Sequence, residues 1–350
     1  MTQPQLKEPD TSTVRKAVAA SAIGNATECF DYGIYAVSVT YITQHFFPGE
    51  QGTIMALATF ALSFLVRPLG GIFWGPMGDR LGRKHVLALT ILMMASATFL
   101  TGVLPTHETI GVLAPILLVI LRAVQGFSSG GEYGGAATMM AEYAPRNRRG
   151  FWGSFLEFGT LAGFALGSLI VLMGELTIGN EAMMEWGWRV PFLIAGPLGI
   201  VGLYLRSKLG ESPVFEEMDE KSADEGSTGK VFGSLFKDHW QQMLIMTGLV
   251  TAVNVVNYTL LSYMPTYFEK TVELSSQTAL TIMFLAQFGM MLLMPVGGLL
   301  SDKFGRKPMW AFSMIGLIAT LCMKETAGAT IRGNQLPEAG VEAKFEADAK

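Results

Sequence analysis

The sequence predicts an all-α integral membrane protein, and three observations lead to this fold class. Half of the 350 residues are apolar and only 15% are charged, whereas a soluble domain carries about 25% charged residues. The apolar residues form long runs, and a run of roughly 20 such residues crosses about 30 Å of hydrocarbon as a helix. Basic residues lie in alternate gaps between these runs. We therefore expect neither an enzyme nor a nucleic-acid partner.

Eight of the runs are predicted to be membrane-spanning helices, which we number spans 1 to 8. They cover residues 17–41, 53–74, 86–104, 111–141, 151–174, 188–206, 241–268 and 276–300. A further apolar run, Met309–Met323, has about 15 residues and is marginal for a crossing. Five regions are expected: a cytoplasmic N-terminal segment (1–16), a six-helix bundle (17–206), an acidic cytoplasmic loop (207–238), a partial second bundle (239–323) and a polar tail (324–350).

The sequence shows no pattern typical of a cleaved leader, a disulfide framework or a metal site. Its first residues are polar and lack the apolar core of a signal peptide. Cys29 and Cys322 each lie inside an apolar run, without a pairing or ligand spacing. We therefore expect no cofactor and no metal.

The basic residues predict the orientation of the chain. They precede span 1 and fill the gaps after spans 2, 4, 6 and 8, while the other gaps contain only Arg189 and Lys270 beside several glutamates. Loops rich in Lys and Arg stay on the cytoplasmic side. The N-terminus and the loop after span 6 are therefore predicted to be cytoplasmic.

One short charged turn occurs twice. GDRLGRKH, Gly78 to His85, follows span 2, and SDKFGRKP, Ser301 to Pro308, follows span 8. A single copy would be explained as a charged turn between helices. Two copies, each after the second helix of a half, indicate the internal duplication that is common in secondary transporters.

Longer motifs carry a resemblance to a known family. They are GNATECFDYGIY from Gly24, FLVRPLGGIFWG from Phe64, GPMGDRLGRK from Gly75, RAVQGFSSGGEYGGA from Arg122, AEYAPRNRRGFWGS from Ala141, WGWRVPFLIAGPLGI from Trp186, NVVNYTLLSYMPTYF from Asn254 and GLLSDKFGRK from Gly298. The chain resembles the major facilitator superfamily and, within it, the metabolite:proton symporters, most closely the bacterial proline/betaine transporters. The resemblance implies a monomer in the bacterial cytoplasmic (inner) membrane that binds a small-molecule substrate and uses a proton as its coupling ion.

The chain also departs from this family. Its members have twelve helices in two bundles of six, whereas eight spans and one short run are found here. MKETAG from Met323 resembles the segment that follows the twelfth helix, so about 90 residues are absent at the usual length per span. The predicted architecture is a complete N-terminal six-helix bundle with a partial C-terminal bundle, about eight or nine helices in all.

Three charged residues lie near the middle of the predicted bilayer. Glu28 and Asp31 share one face of span 1, about 16 and 21 Å from Ala17 along the helix. Arg122 lies about 16 Å into span 4, so we expect it to meet both acids. Charges at this depth are usually functional, which predicts a site for proton and substrate. A structural ion pair that only joins helices is the alternative.

Polar residues on the same and neighbouring spans complete the candidate site: Tyr32, Gln125, Glu132, Glu157, Asn254, Asn257 and Tyr258. Arg67 is instead expected to stay near the lipid headgroups. Because four acids then accompany the single base Arg122, a zwitterion or quaternary ammonium such as proline or betaine is favoured. The rings of Tyr32, Tyr35, Tyr133 and Tyr258 are available for cation–π contact. Glycines spaced by four on spans 4 and 5, such as Gly126 and Gly159, predict close helix packing.

The resemblance further implies a gate on the cytoplasmic side. In the family, the Asp of each repeated turn pairs with a helix end in the opposite bundle. The resemblance implies that Asp79 pairs with the start of helix eleven, which is absent here, so Asp79 is expected to have no partner. Asp302 is expected near Gly150 and Phe151. The full set of candidate gating residues is Gly75, Asp79, Arg80, Gly82, Arg83, Glu142, Asp302, Gly305 and Arg306.

Other functions stay open at this point. The chain is predicted to be a proton symporter of a zwitterionic osmolyte, but a shortened, non-transporting fragment is an alternative. A symporter of an organic acid such as ketoglutarate, citrate or shikimate is another. GFSSG, Gly126 to Gly130, matches the G-x-S-x-G pattern of serine hydrolases, but it lies within a helix and lacks the strand–turn–helix elbow of those enzymes.

Overall fold

The computed structural model describes residues 11–81, 83–130, 140, 144–207 and 240–309. All regular structure in these residues is helical, which confirms the predicted all-α class. The chain divides into two compact units after Lys303, and every contact discussed below lies within the first.

Eleven α-helices are described, three of them short. They are α1 (Thr11–Val37), α2 (Val39–Phe46), α3 (Gly52–Leu81), α4 (Arg83–Val103), α5 (His107–Ile110), α6 (Leu113–Ser129), α7 (Arg149–Ala182), α8 (Arg189–Ser207), α9 (Trp240–Tyr258), α10 (Met264–Lys270) and α11 (Ser276–Phe304). Two π-helical turns, Met183–Gly187 and Thr259–Tyr263, join α7 to α8 and α9 to α10.

The helices follow the predicted spans closely. Span 1 corresponds to α1 and α2, span 7 to α9 and α10, and spans 2, 3, 5, 6 and 8 to one helix each. Span 4 corresponds to α6 as far as Ser129, and residues 131–139 and 141 of this span lie outside the described residues. Within the described part of the chain, four segments are long and apolar enough to cross a membrane, namely Gly52–Gly78, Arg149–Gly187, Met243–Lys270 and Ser276–Phe304. α7 extends eight residues beyond the predicted end of span 5, and Gly179, with φ of 83°, breaks its helical path near that end.

Glycines bring three pairs of helices into close contact. α1 packs along α7, α3 along α6 and α4 along α8. Gly159 and Gly163 of α7 lie against the backbone of Ala22 and Ala26 of α1, so these two helices run parallel. A side chain at Gly159 would overlap the carbonyl oxygen of Ala22. The glycine spacing on span 5 therefore serves packing, as expected.

α7 and α11 run antiparallel and touch at three levels. Gly150 contacts Asp302 at one end, the buried Ser168 hydroxyl donates to Gln287 Oε1 (2.9 Å) in the middle, and Glu175 contacts Ser276 at the other end. The rise of an α-helix puts Arg149 and Glu175 about 39 Å apart. We call these the Asp302 end and the Glu175 end of α7.

α9 is the least buried long helix. Leu244, Ile245 and Met246 are each more than 60% exposed. Among the described residues, only its last turn and the following π-helical turn approach α1 and α3, through Tyr258 and Leu261. The π-helical turn and α10 both pack against α1, so the second half of the chain meets the first at these segments and at the three levels along α11.

Replacing Gly159 with valine is expected to separate α1 from α7. Overpacking of a tight interface costs about 1–3 kcal/mol, so Gly159→Val should lower the free energy of unfolding by that amount. Gly153→Val is the matched control, because Gly153 lies on the same helix with no atom near its missing side chain. Equal loss of stability in both variants, measured by denaturant titration in detergent, would contradict the assigned contact.

Candidate functional site

The candidate site is built around a buried ion pair between α1 and α6. Arg122 Nη1 donates to Asp31 Oδ2 at 3.3 Å. Both side chains are almost inaccessible to solvent, with exposures of 0% for Arg122 and 3% for Asp31. The guanidinium also lies over the ring of Tyr35, 3.6 Å from its centroid. The predicted meeting of Asp31 and Arg122 is therefore present.

The second oxygen of Asp31 joins two further helices to this pair. Oδ1 accepts hydrogen bonds from Thr98 Oγ1 of α4 (2.7 Å) and from Gln125 Nε2 of α6 (2.6 Å). Gln125 was a candidate from its place on the Arg122 face. Thr98 was not, because a single threonine in an apolar helix carries no signal of its own. One carboxylate thus links α1, α4 and α6.

One edge of the Arg122 guanidinium is left without a partner. Among the described residues, neither Nε nor Nη2 donates a hydrogen bond, although both atoms are buried. Gln125 Oε1 is likewise buried and unpaired there. A buried donor without an acceptor costs about 1–3 kcal/mol. Nε and Nη2 are parallel donors, and their spacing matches the two oxygens of a carboxylate.

Glu28 pairs with a different arginine. Its Oε1 lies 2.8 Å from Nη2 of Arg67 on α3, and the exposed fraction of the two side chains is 1% for Glu28 and 23% for Arg67. The expectation that Arg67 stays at the headgroups is therefore wrong, as is the expectation that Arg122 meets both acids. Position along a helix gives depth, but the direction of a side chain depends on which helix packs beside it.

Arg67 changes the charge balance of the site. Glu28 and Asp31 are one turn apart on α1, and each has its own arginine from another helix. The argument from an excess of acids over a single base is thereby weakened, because two bases are present. Glu157 is half-buried on α7, and Glu132 lies outside the described residues.

Aromatic rings lie next to the two ion pairs. The ring of Phe64 stacks on Tyr32 at 5.2 Å and meets Tyr258 edge-on at 4.6 Å between centroids. The Tyr32 hydroxyl is hydrogen bonded to Ser129 Oγ at 2.8 Å. Tyr35 has its ring covered by Arg122 and its hydroxyl bound to Ala56 O. Tyr133 lies outside the described residues.

The predicted residues of span 7 differ in placement. Tyr258 reaches the aromatic group, and Asn257 is half-buried. Asn254 is exposed, and its Nδ2 donates to Val250 O of the same helix. The structure therefore does not bring Asn254 to the site, because α9 turns that face outward.

One predicted gating contact is described. Asp302 Oδ1 accepts from Gly150 N at 2.7 Å, and Oδ2 accepts from Phe151 N at 2.8 Å. These amides belong to the first turn of α7, where unpaired N–H groups and the helix dipole attract an anion. A side chain at Gly150 would collide with Asp302 and with Gly298 O. The position expected for Asp302 from the resemblance is thus found.

The structure describes the other gating candidates only in part. Gly75 and Arg306 are exposed, and Gly305 has a positive φ of 90° that favours glycine. Gly82 and Glu142 lie outside the described residues, as do the side chains of Asp79, Arg80 and Arg83.

Comparisons with known proteins agree with the fold. A sequence model described as Major Facilitator Superfamily matches residues 21–325. The structure is similar to that of the proton:xylose symporter XylE, with a TM-score of 0.66, 19% identity, and coverage of 86% of this chain and 71% of that one. At this identity the similarity concerns the fold alone.

Several curated relatives are named as transporters, not as enzymes. A glycine betaine/proline/ectoine/pipecolic acid transporter of Dickeya dadantii, OusA, is 46% identical over 319 residues, which cover 89% of this chain and 63% of the relative. The proline/betaine transporter of Escherichia coli K12 is 43% identical over 334 residues, covering 93% and 66%. The chain thus spans slightly less than two thirds of their length.

The pairing of Glu28 with Arg67 can be tested by a double-mutant cycle. Glu28→Gln or Arg67→Gln alone leaves one poorly solvated charge, so each should cost about 3–5 kcal/mol of unfolding free energy. The double variant should cost clearly less than the sum of the two. The same cycle for Glu28 and Arg122→Gln is the control, and denaturant titration in detergent measures both. A larger coupling for Glu28 with Arg122 than with Arg67 would refute the assignment.

Proposed function

The chain belongs to the major facilitator superfamily, and we propose that it binds and carries a small zwitterionic osmolyte, of the proline and glycine betaine class, together with a proton. The names of the curated relatives support this substrate class. The observation that carries the proposal is the buried, unpartnered Nε–Nη2 edge of Arg122. It offers a carboxylate two parallel donors inside the membrane.

The carboxylate of the solute binds this edge of Arg122 in the proposal. The opposite, cationic end of the solute is placed among the rings of Tyr32, Phe64 and Tyr258. A quaternary ammonium or secondary amine is attracted to such ring faces. Tyr32 follows Asp31 directly in α1 and contacts Ser129 of α6, so the carboxylate and ring subsites are neighbours.

Proton coupling is assigned to Asp31. When Asp31 is ionised, it holds Arg122 through one contact, and a solute carboxylate must compete with it. When Asp31 is protonated, Arg122 lacks a counter-ion in an apolar surrounding and binds an anion more strongly. Proton and solute therefore favour each other's binding, and this coupling is reciprocal. Solute affinity is expected to fall as the pH rises and Asp31 loses its proton.

The proposal includes the predicted location and gating. The chain is placed in the cytoplasmic membrane of a bacterium as a monomer, with its N-terminus and its acidic loop cytoplasmic. Residues 17–206 form the first bundle and 239–323 part of the second. The contact of Asp302 with the first turn of α7 then closes the cytoplasmic side. Separation of this contact would accompany opening to the cytoplasm.

Binding without transport is the second candidate function. The chain spans 63–66% of the length of the relatives named above. Rocking of two bundles around a central site requires both bundles. The groups that form the proposed solute site come from α1, α3, α6 and α9, all present here. Binding of the solute is therefore expected even where uptake is absent.

Solute binding tests the proposal directly. Labelled proline and glycine betaine should bind the chain in nanodiscs, more tightly at low pH. Arg122→Lys should weaken binding at least about tenfold, because an ammonium cannot replace the two parallel donors. Asp31→Asn should bind at all pH values with little pH dependence. Arg189→Lys is the control, since Arg189 binds carbonyl oxygens of Gly102 and Leu104 away from this site.

Uptake by proteoliposomes separates the two candidates. Accumulation driven by a pH gradient supports transport, and binding without accumulation supports the second candidate. If citrate or ketoglutarate displaces labelled proline and unlabelled betaine does not, the solute is an organic acid and not a zwitterion. If solute binding by Asp31→Asn depends on pH as it does in the parent chain, Asp31 does not take part in proton coupling.

A further inference from the structure

A second polar cluster lies at the Glu175 end of α7, away from the Asp31–Arg122 pair. Its five members, which we call the Glu175 cluster, are Thr40, Tyr41, Glu175, Glu269 and Ser276. Thr40 and Tyr41 belong to α2, Glu175 to α7, Glu269 to α10 and Ser276 to the start of α11. The cluster therefore joins the first half of the chain to the second at the end opposite Asp302.

Hydroxyl groups connect the two carboxylates of the cluster. Glu175 Oε1 lies 2.5 Å from the Tyr41 hydroxyl and 2.5 Å from Ser276 Oγ. Ser276 Oγ also lies 3.1 Å from Glu269 Oε1, and Thr40 Oγ1 lies 2.5 Å from Glu269 Oε2. Ser276 thus stands between the two acids and contacts both.

The hydroxyl groups of the cluster carry fewer hydrogen atoms than its hydrogen-bond contacts require. Three hydroxyl groups, one each on Thr40, Tyr41 and Ser276, carry one hydrogen apiece. They face four contacts with carboxylate oxygens. An ionised carboxylate only accepts, so one contact lacks a hydrogen if both acids are ionised. Four hydrogen bonds require one additional proton on a carboxyl group.

The geometry indicates which acid holds that proton. Glu175 Oε1 receives two short contacts, from Tyr41 and Ser276, as an ionised oxygen with two lone pairs does. The Ser276 hydrogen is then used, and Glu269 Oε1 must donate to Ser276 Oγ. In this arrangement Glu269, with Thr40 donating to its other oxygen, is the protonated member.

A further observation points to a ligand at this cluster. Glu175 is 1% exposed, and its Oε2 is buried without a hydrogen-bond partner among the described residues. Within the same residues, neither acid forms an ion pair with a base. The charged and titratable groups that face the two acids are Tyr41 and, beside Glu269, Lys270. Two ionised carboxylates sharing one hydroxyl here would repel each other.

We propose that the Glu175 cluster is a second proton-binding site, distinct from Asp31, and that its proton holds α10 and α11 against α2 and α7. With Glu269 protonated, the chain Glu269–Ser276–Glu175 is fully hydrogen bonded and this end is closed. Loss of the proton leaves two anions on one hydroxyl, and the end separates. The role of this step in transport rests on the proposed function, whereas the proton binding does not.

The test combines protonation and distance in the complete chain without solute. Spin labels at Leu176→Cys and Thr271→Cys, both exposed positions, report the spacing across the cluster, with Cys29 and Cys322 replaced by serine. Infrared difference spectra report the carbonyl stretch of protonated carboxyl groups. Between about pH 5 and about pH 9, the protonated signal should disappear while the labels move apart.

Variants distinguish protonation of the Glu175 cluster from protonation of other acidic residues. Glu269→Gln mimics the protonated acid, so it should lose the part of that infrared signal that comes from Glu269, keep any part that comes from Asp31, and keep the short distance at every pH. Glu181→Gln, an exposed glutamate near the same end of α7, is the matched control and should behave as the parent chain. Ser276→Ala is the milder variant, which removes only the shared hydroxyl and should abolish the pH dependence of the distance.

Three results would overturn the proposal. They are a distance that does not change with pH in the parent chain, a protonated signal as large in Glu269→Gln as in the parent chain, and closure that depends on sodium concentration instead of pH. Because no solute is present, these outcomes leave the binding test of the proposed function intact. Failure of solute binding would likewise leave the proton site in place.

Discussion

The buried carboxylate of Asp31 is the interaction on which the rest of the site depends. It accepts from Arg122 and Gln125 of α6 and from Thr98 of α4 while standing on α1. A charge in this position is tolerated because two other helices supply three donors to it. The same contacts fix the position of the Arg122 guanidinium, and so of the edge that we assign to a solute carboxylate.

Separate pairing of the two acids of α1 explains how one helix can carry two charges in an apolar bundle. Glu28 is neutralised by Arg67 and Asp31 by Arg122, so each acid has a counter-ion from a different helix. Protonation of either acid therefore releases a particular arginine. Among the described residues, Arg122 has buried donors without a partner, which is why we assign the proposed exchange of a proton for an anionic group to this pair.

α7 connects the two ends of the molecule. Its first turn binds Asp302 through the backbone amides of Gly150 and Phe151. Near its other end, Glu175 takes part in a cluster with Ser276 of the same partner helix, α11. The first contact is between an anion and a helix terminus, and the second is the one that we propose to depend on a proton.

The sequence by itself determined the all-α class and the approximate bounds of most described helices, since apolar run length and helical spacing are local properties. It also located Asp302 near Gly150, through a resemblance rather than through physics. Only the tertiary structure decided that Arg67 faces Glu28, that Thr98 binds Asp31, that Asn254 faces outward and that Glu269 meets Glu175. These contacts depend on how helices rotate and pack against one another, and such rotation is set by close approaches such as Gly159 on Ala22 that involve residues far apart in sequence.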